Sequence, residues 1–228
     1  MKVINEFVRY QYRQYALSAK YVVPLIALFA VFGIMYSVTP IAVVSNFAVM
    51  SLVLFMFMVG IGMTCQEIEP EVSEQIIILR MQSARKYYTG QVLFSGILSV
   101  AAAVFTLCYP ILFHYWHGKM LFTRNIQASD IAGGFLLMSA CSFVGCMVGG
   151  IFSPRIIRER KAGTALTIIC ALVSVVKLGI VAEFPKSKYI LWIMPPVSDM
   201  VRWFMKEEYF QMGKVIEAFL VSLVDNLF

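Results

Sequence analysis

Residues able to do chemistry are few in this chain, and they are scattered. His114 and His117 place two imidazoles three positions apart, but no cysteine or carboxylate lies close by to complete a zinc ligand set. They read as residues of a membrane interface. Cys65, Cys108, Cys141, Cys146 and Cys170 lie in or beside apolar runs without CxxC spacing. They read as small buried hydrophobes rather than metal ligands or disulfide partners. Glu207 and Glu208 begin the EExxxR pattern of one intramembrane protease class, yet Tyr209, Phe210, Gln211 and Met212 follow without an arginine. GxSxG and HExxH are absent, as is the GxxxxGK[ST] phosphate loop. No catalytic residue, metal ligand or cofactor site is therefore assigned to this chain, and an intramembrane enzyme is disfavoured.

The densest group of charged side chains lies in the stretch 64–88, TCQEIEPEVSEQIIILRMQSARKYY. Glu67, Glu69, Glu71 and Glu74 precede or open a short helix. Pro70 suits its first turn, and acidic side chains there complement the helix dipole. Val72, Ile76 and Leu79 share one apolar stripe, and Arg80 closes the helix on the basic side. Two readings stand: a solvated loop carrying a surface helix, or a docking helix that fits a groove on a cytoplasmic partner. In the second, the apolar stripe supplies contact area while the charges select the partner.

The rest of the composition says where such a helix sits. Apolar residues make up 60% and charged residues 14% of 228 positions, against about 45–50% and ~25% in soluble domains. The apolar residues fall into long runs with the charges between them, which predicts an all-α, polytopic membrane protein. A net charge of +6 does not indicate nucleic-acid binding, because the basic residues cluster at the ends of apolar segments. The first twenty residues lack the apolar core and cleavage site of a signal peptide.

Six spans are expected, at 21–38, 44–63, 89–113, 130–152, 163–182 and 212–228, each approaching the ~20 residues that a ~30 Å hydrocarbon core requires. Residues 1–20 form an interfacial helix. Lys2, Glu6, Arg9, Arg13 and Lys20 lie on one face, with Ile4, Phe7, Val8 and Tyr15 dipping into lipid on the other. In the outer segment 183–211, Pro195 and Pro196 interrupt an apolar run, which reads as a re-entrant or surface helix pair. The whole, 1–228, reads as a single transmembrane domain. With the N-terminus cytoplasmic, about eleven Lys and Arg residues fall inside and six outside, which sets the orientation. Asp225 and a carboxylate at Phe228 would end near the inner edge of the hydrocarbon, so the natural chain is expected to continue further.

Within the spans, Cys141, Gly145 and Gly149 form a small-residue stripe, suited to packing within the subunit or to a subunit contact. Met50, Phe55, Phe57 and Met58 could line a greasy substrate pathway or simply pack and face lipid. Thr167, Ser174 and Lys177, with Thr164 and Ala171, fall on one side of the fifth span. Lys177 either snorkels to the outer surface or lines the same pathway.

The arrangement resembles the membrane subunits of type-2 (export) ATP-binding-cassette transporters. There, a Glu-rich cytoplasmic helix between the second and third spans is followed by a small or Pro residue, basic residues, a Tyr and a Gly. Glu67, Glu69, Glu74, Leu79, Ser83, Arg85, Lys86, Tyr88 and Gly90 follow that order here. Gln91 departs from it, standing where a Lys is common. The basic N-terminal helix, the six spans and the interrupted segment before the last extend the resemblance over nearly the whole chain.

The resemblance implies a permease in a bacterial cell membrane that binds no cofactor itself. A separate nucleotide-binding subunit would bind ATP and Mg and couple through Glu67, Glu69, Glu71, Glu74, Gln75 and Arg80. A second membrane subunit, identical or paralogous, would complete a dimer. The cargo would be a hydrophobic or amphipathic molecule, for example a peptide, moved outward. The competing reading is an ion-gradient-driven secondary transporter or channel, which calls for ionisable residues near the midplane, often in two related halves. Only Lys177 and Asp225 come near, and no internal repeat is evident.

Overall fold

The computed structural model describes residues 2–37, 39–66, 71–116, 121–151, 159–184, 187, 191, 194–202 and 204. Among them, the regular elements are all helices. α1 (Lys2–Ser18) leads into α2 (Val22–Met35), α3 (Val43–Gln66), α4 (Glu71–Met81) and α5 (Ala84–Trp116). α6 (Ala128–Ile151), α7 (Arg160–Glu183) and the short α8 (Val197–Arg202) follow.

Four of these helices, α3, α5, α6 and α7, are long and apolar enough to cross a membrane. A fifth span results if α1 and α2, which meet at a 72° bend, are taken together. α2 alone has 14 residues, about 21 Å at 1.5 Å per residue, too short for a ~30 Å core. The expected first span at 21–38 is thus a shorter helix than its apolar run suggested. The expected sixth, 212–228, lies outside the described residues.

At the bend, Ala19 adopts a left-handed conformation with φ 52°. That conformation stops α1, as a residue just past a helix end commonly does. Ser18 Oγ donates to the Tyr15 carbonyl at 2.8 Å, and the Val22 N–H reaches back to the Ala19 carbonyl at 3.1 Å.

The core is the pair α3 and α6, which run parallel: Phe47 lies against Gly134, Phe55 against Gly145 and Gln66 against Gly150. Their backbones approach because glycine lies where they touch. A Cβ at Gly145 would stand 2.5 Å from the Phe55 carbonyl oxygen, and one at Gly149 would fall on the Val59 carbonyl oxygen. Gly62 makes the reciprocal approach to the Cys146 carbonyl. The small-residue stripe therefore serves packing within the chain.

α5 covers this pair on one side and α7 touches it on another, while both turn apolar residues outward: Ile97 is 57% and Ile169 54% exposed. Such apolar belts would be costly in water and are compatible with a multi-pass membrane protein.

Connections at the two ends differ. At one end lie α1, α4 and the start of α5. At the opposite end the α2–α3 and α5–α6 connections pair by backbone hydrogen bonds. The Ile41 N–H donates to the Leu121 carbonyl at 2.9 Å, and the Thr123 N–H donates to the Ile41 carbonyl at 3.1 Å.

Asp130, fully buried in the first turn of α6, receives both Arg124 guanidinium nitrogens, at 2.6 and 2.9 Å, and the Gln127 N–H at 3.0 Å. A carboxylate three residues into a helix thereby caps it and holds the loop.

His114 is buried, with its ring 5.1 Å from that of Phe122. It packs beneath this loop rather than standing exposed, as its neighbours Tyr115 and Trp116 do at 61% and 88%. His117 lies outside the described residues.

Candidate functional site

α4 is a surface helix between two apolar helices, as its sequence predicts, and its two faces have opposite fates. Glu74, Ile77, Ile78 and Met81 recur at helical spacing and turn inward. Met81 forms a small buried cluster with Phe7 of α1 and Tyr87 of α5, and Ile77 and Ile78 pack against it. The Phe7 and Tyr87 rings are 5.0 Å apart. Gly90 makes room for Phe7, whose ring a Cβ there would strike. The other face of α4 stays open: Val72 is 69%, Ile76 58% and Leu79 77% exposed. Gln75 and Arg80 are exposed beside that stripe.

The Val72, Ile76 and Leu79 stripe exists and is unburied. Glu74, expected among the carboxylates shown to a partner, is instead buried, because the helical period places it with Ile77, Ile78 and Met81. Glu67 and Glu69 lie outside the described residues, as does the side chain of Glu71.

α1 also departs from its expected role. Phe7 and Tyr15, assigned to lipid, are only 5% and 4% exposed. They pack on α5, the Tyr15 ring 6.1 Å from that of Phe94. The stripe Phe7, Gln11, Tyr15, Ser18 thus faces protein. Between α1 and α4 runs an open groove of about 630 Å³, with Glu6 and Tyr10 on one wall and Ile76 and Arg80 on the other.

The residues proposed for a pathway do not gather around one cavity. Met50, Phe55 and Met58 are fully buried in the bundle. Phe57 and Met58 border an apolar cavity of about 150 Å³ shared with α2 and α5. Thr167 and Ser174 are fully buried and return their hydroxyls to their own helix, donating to Gly163 O at 2.9 Å and Cys170 O at 2.7 Å.

Lys177 neither snorkels nor faces open space. Its Nζ lies 2.9 Å from Asp199 Oδ2, on the helix that follows Pro195-Pro196. α8 itself is too short to cross, and buries Val197, Met200 and Val201 against the bundle. This placement was not legible beforehand; the one signal was an acidic residue just after a proline pair, opposite a lysine within a span.

Cys141, Cys146 and Cys170 are buried as expected, whereas Cys108 is exposed and Cys65 half-buried, all five as free thiols. Among the described residues, no cluster of His, Cys, Asp and Glu could hold a metal ion. Compared with known protein families, curated proteins and solved structures, the chain matched none.

Proposed function

We propose that this chain is the membrane subunit of an ATP-driven exporter. It would be driven through α4 by a separate ATPase subunit and would move a hydrophobic or amphipathic molecule outward. The observation that carries the reading is the exposed stripe Val72, Ile76 and Leu79. It lies on a short helix that is itself tied to two others by the Phe7–Met81–Tyr87 cluster. An apolar strip facing water needs a partner, and a helix anchored on its other face can pass a push into α1 and α5.

The Lys and Arg excess in the segments around α1, α4 and residues 153–162 supports a cytoplasmic placement of that end. With no phosphate loop in this chain, the ATP and its Mg belong to the partner, and a second membrane subunit would complete the pathway.

The test is gentle purification with identification of any co-purifying ATPase, followed by ATPase and vesicle-transport assays on wild type and V72S/I76S/L79S. Because the three side chains are exposed, the variant should keep its thermal stability. It should lose the ATPase subunit and ATP-driven transport. A lone chain that transports without ATP, or a triple variant with unchanged coupling, would overturn the reading.

A further inference from the structure

At the α1–α4 end, the bundle encloses a second, chemically different space. Residues near the ends of α3 and α6 and the start of α5 border a cavity of about 420 Å³, within the ~300–1,000 Å³ range of small-molecule sites. Its polar wall is Cys65, Gln66, Gln91, Ser95 and Cys146. Its rim is Tyr88, Val92 and Ile151, which are 51%, 45% and 51% exposed. These rim residues belong to the outward surfaces of α5 and α6, so the cavity opens sideways from the bundle, toward one leaflet, rather than into the α3–α6 seam.

A small adjoining pocket adds Gln11 of α1 to Gln66, Gln91 and Ser95. The Gln11 Oε1 is buried and has no hydrogen-bond partner among the described residues.

Two features define what such a space accepts. Among the described residues that line it, none carries a charge. An ionic head group would therefore find no counter-charge among those residues, and drawing it out of water would be costly. The amides and the Ser95 hydroxyl instead offer neutral donors and acceptors. The buried Gln11 Oε1 calls for an O–H or N–H donor, since a buried acceptor left unpaired is destabilising. The apolar half of the lining, with Val92, Met147 and Ile151 at the open side, suits a hydrocarbon tail leaving sideways.

We infer that this cavity binds the uncharged, hydroxyl- or amide-bearing head of an amphiphile drawn from the leaflet at the α4 end. Such a head comes either from a resident lipid or from the cargo. Its role as cargo rests on the exporter reading; the site itself does not.

Cys65 is a built-in reporter, half-buried on the cavity wall. The chain is placed in phosphatidylcholine nanodiscs, and modification of Cys65 by a small neutral methanethiosulfonate is followed by peptide mass spectrometry. Dodecyl glucoside well above its Kd should slow the reaction about tenfold, by simple occupancy. Dodecyl phosphate and dodecyltrimethylammonium should have little effect.

Q66L should weaken the glucoside protection. In G150L the new side chain should enter the cavity, because Gly150 lines it and the three atoms nearest a Cβ there all belong to the flexible Gln66 side chain. Cys65 should then react slowly without any ligand. Equal protection by all three amphiphiles, no protection, or glucoside protection unchanged in both variants would overturn the site.

If protection is seen, ATP-dependent movement of the glucoside across vesicles containing the ATPase subunit identifies the head as cargo. Binding without movement identifies a resident lipid, and either result upholds the site. Failure of the exporter reading appears only in this last arm, whereas failure of the site appears already in the nanodiscs.

Discussion

Lys177 Nζ and Asp199 Oδ2 meet at 2.9 Å, joining the C-terminal half of α7 to the short helix α8. The Lys177 side chain is 8% exposed and that of Asp199 26%, so the pair is mostly, though not wholly, out of solvent. It closes a contact that Cys170 and Met194, 3.5 Å apart between their sulfurs, continue along the same side of α7.

Breaking this pair should therefore cost more than breaking a surface ion pair. K177M or D199N should each lower stability by about 2 kcal/mol, at the low end for buried pairs because Asp199 keeps some solvent. The charge-swapped K177D/D199K should recover part of the loss. Thermal unfolding in a mild detergent reads the difference; single variants as stable as wild type would show that α8 is held by its apolar contacts alone.

The glycine seam makes a sharper contrast. G149A places a methyl on the Val59 carbonyl oxygen, with Met63 N at 2.9 Å and Gly62 Cα at 3.0 Å. None of these is a side chain that can rotate away. Forcing α3 and α6 apart should cost about 1–3 kcal/mol or more. G33A and G60A meet nothing within 4 Å. They should be neutral or gain up to ~1 kcal/mol from helix propensity. Unfolding midpoints of the three variants, measured side by side, check the ordering.

α1 should detach when its anchor is removed. F7A deletes the ring that sits between Met81 and Tyr87 and leaves the pocket above Gly90 empty, a loss of about 3 kcal/mol by core precedent. The loss should be local, because this cluster is separate from the α3–α6 core. Hydrogen exchange should rise in α1 and α4 and stay low in α3 and α6. Trypsin should then cut after Arg9 and Arg13 sooner than in wild type.

Much of the architecture was legible because lipid imposes a simple rule. A segment that crosses hydrocarbon must be helical and apolar along its length, so the runs at 44–63, 89–113, 130–152 and 163–182 marked α3, α5, α6 and α7 to within a few residues at most ends. The surface helix α4 was legible from Pro70 and the Val72, Ile76, Leu79 spacing. Stacked against these, the Arg124–Asp130 clamp left almost no trace. Position 130 read only as the start of a span, because nothing local says that the preceding loop, with Arg124, folds back onto the helix.

What the sequence by itself determined, then, is which segments are helical, which are apolar and where charge is confined, since each follows from neighbours three or four positions away. Tertiary structure alone decided which face of a helix meets protein and which does not. Phe7 and Tyr15 were apolar enough for lipid but are covered by α5. Glu74 was charged enough for a partner but shares a helical face with Met81. Lys177 was long enough to snorkel but finds Asp199. In each case the residue type permits two environments of similar free energy, and the choice depends on what a distant segment brings alongside it.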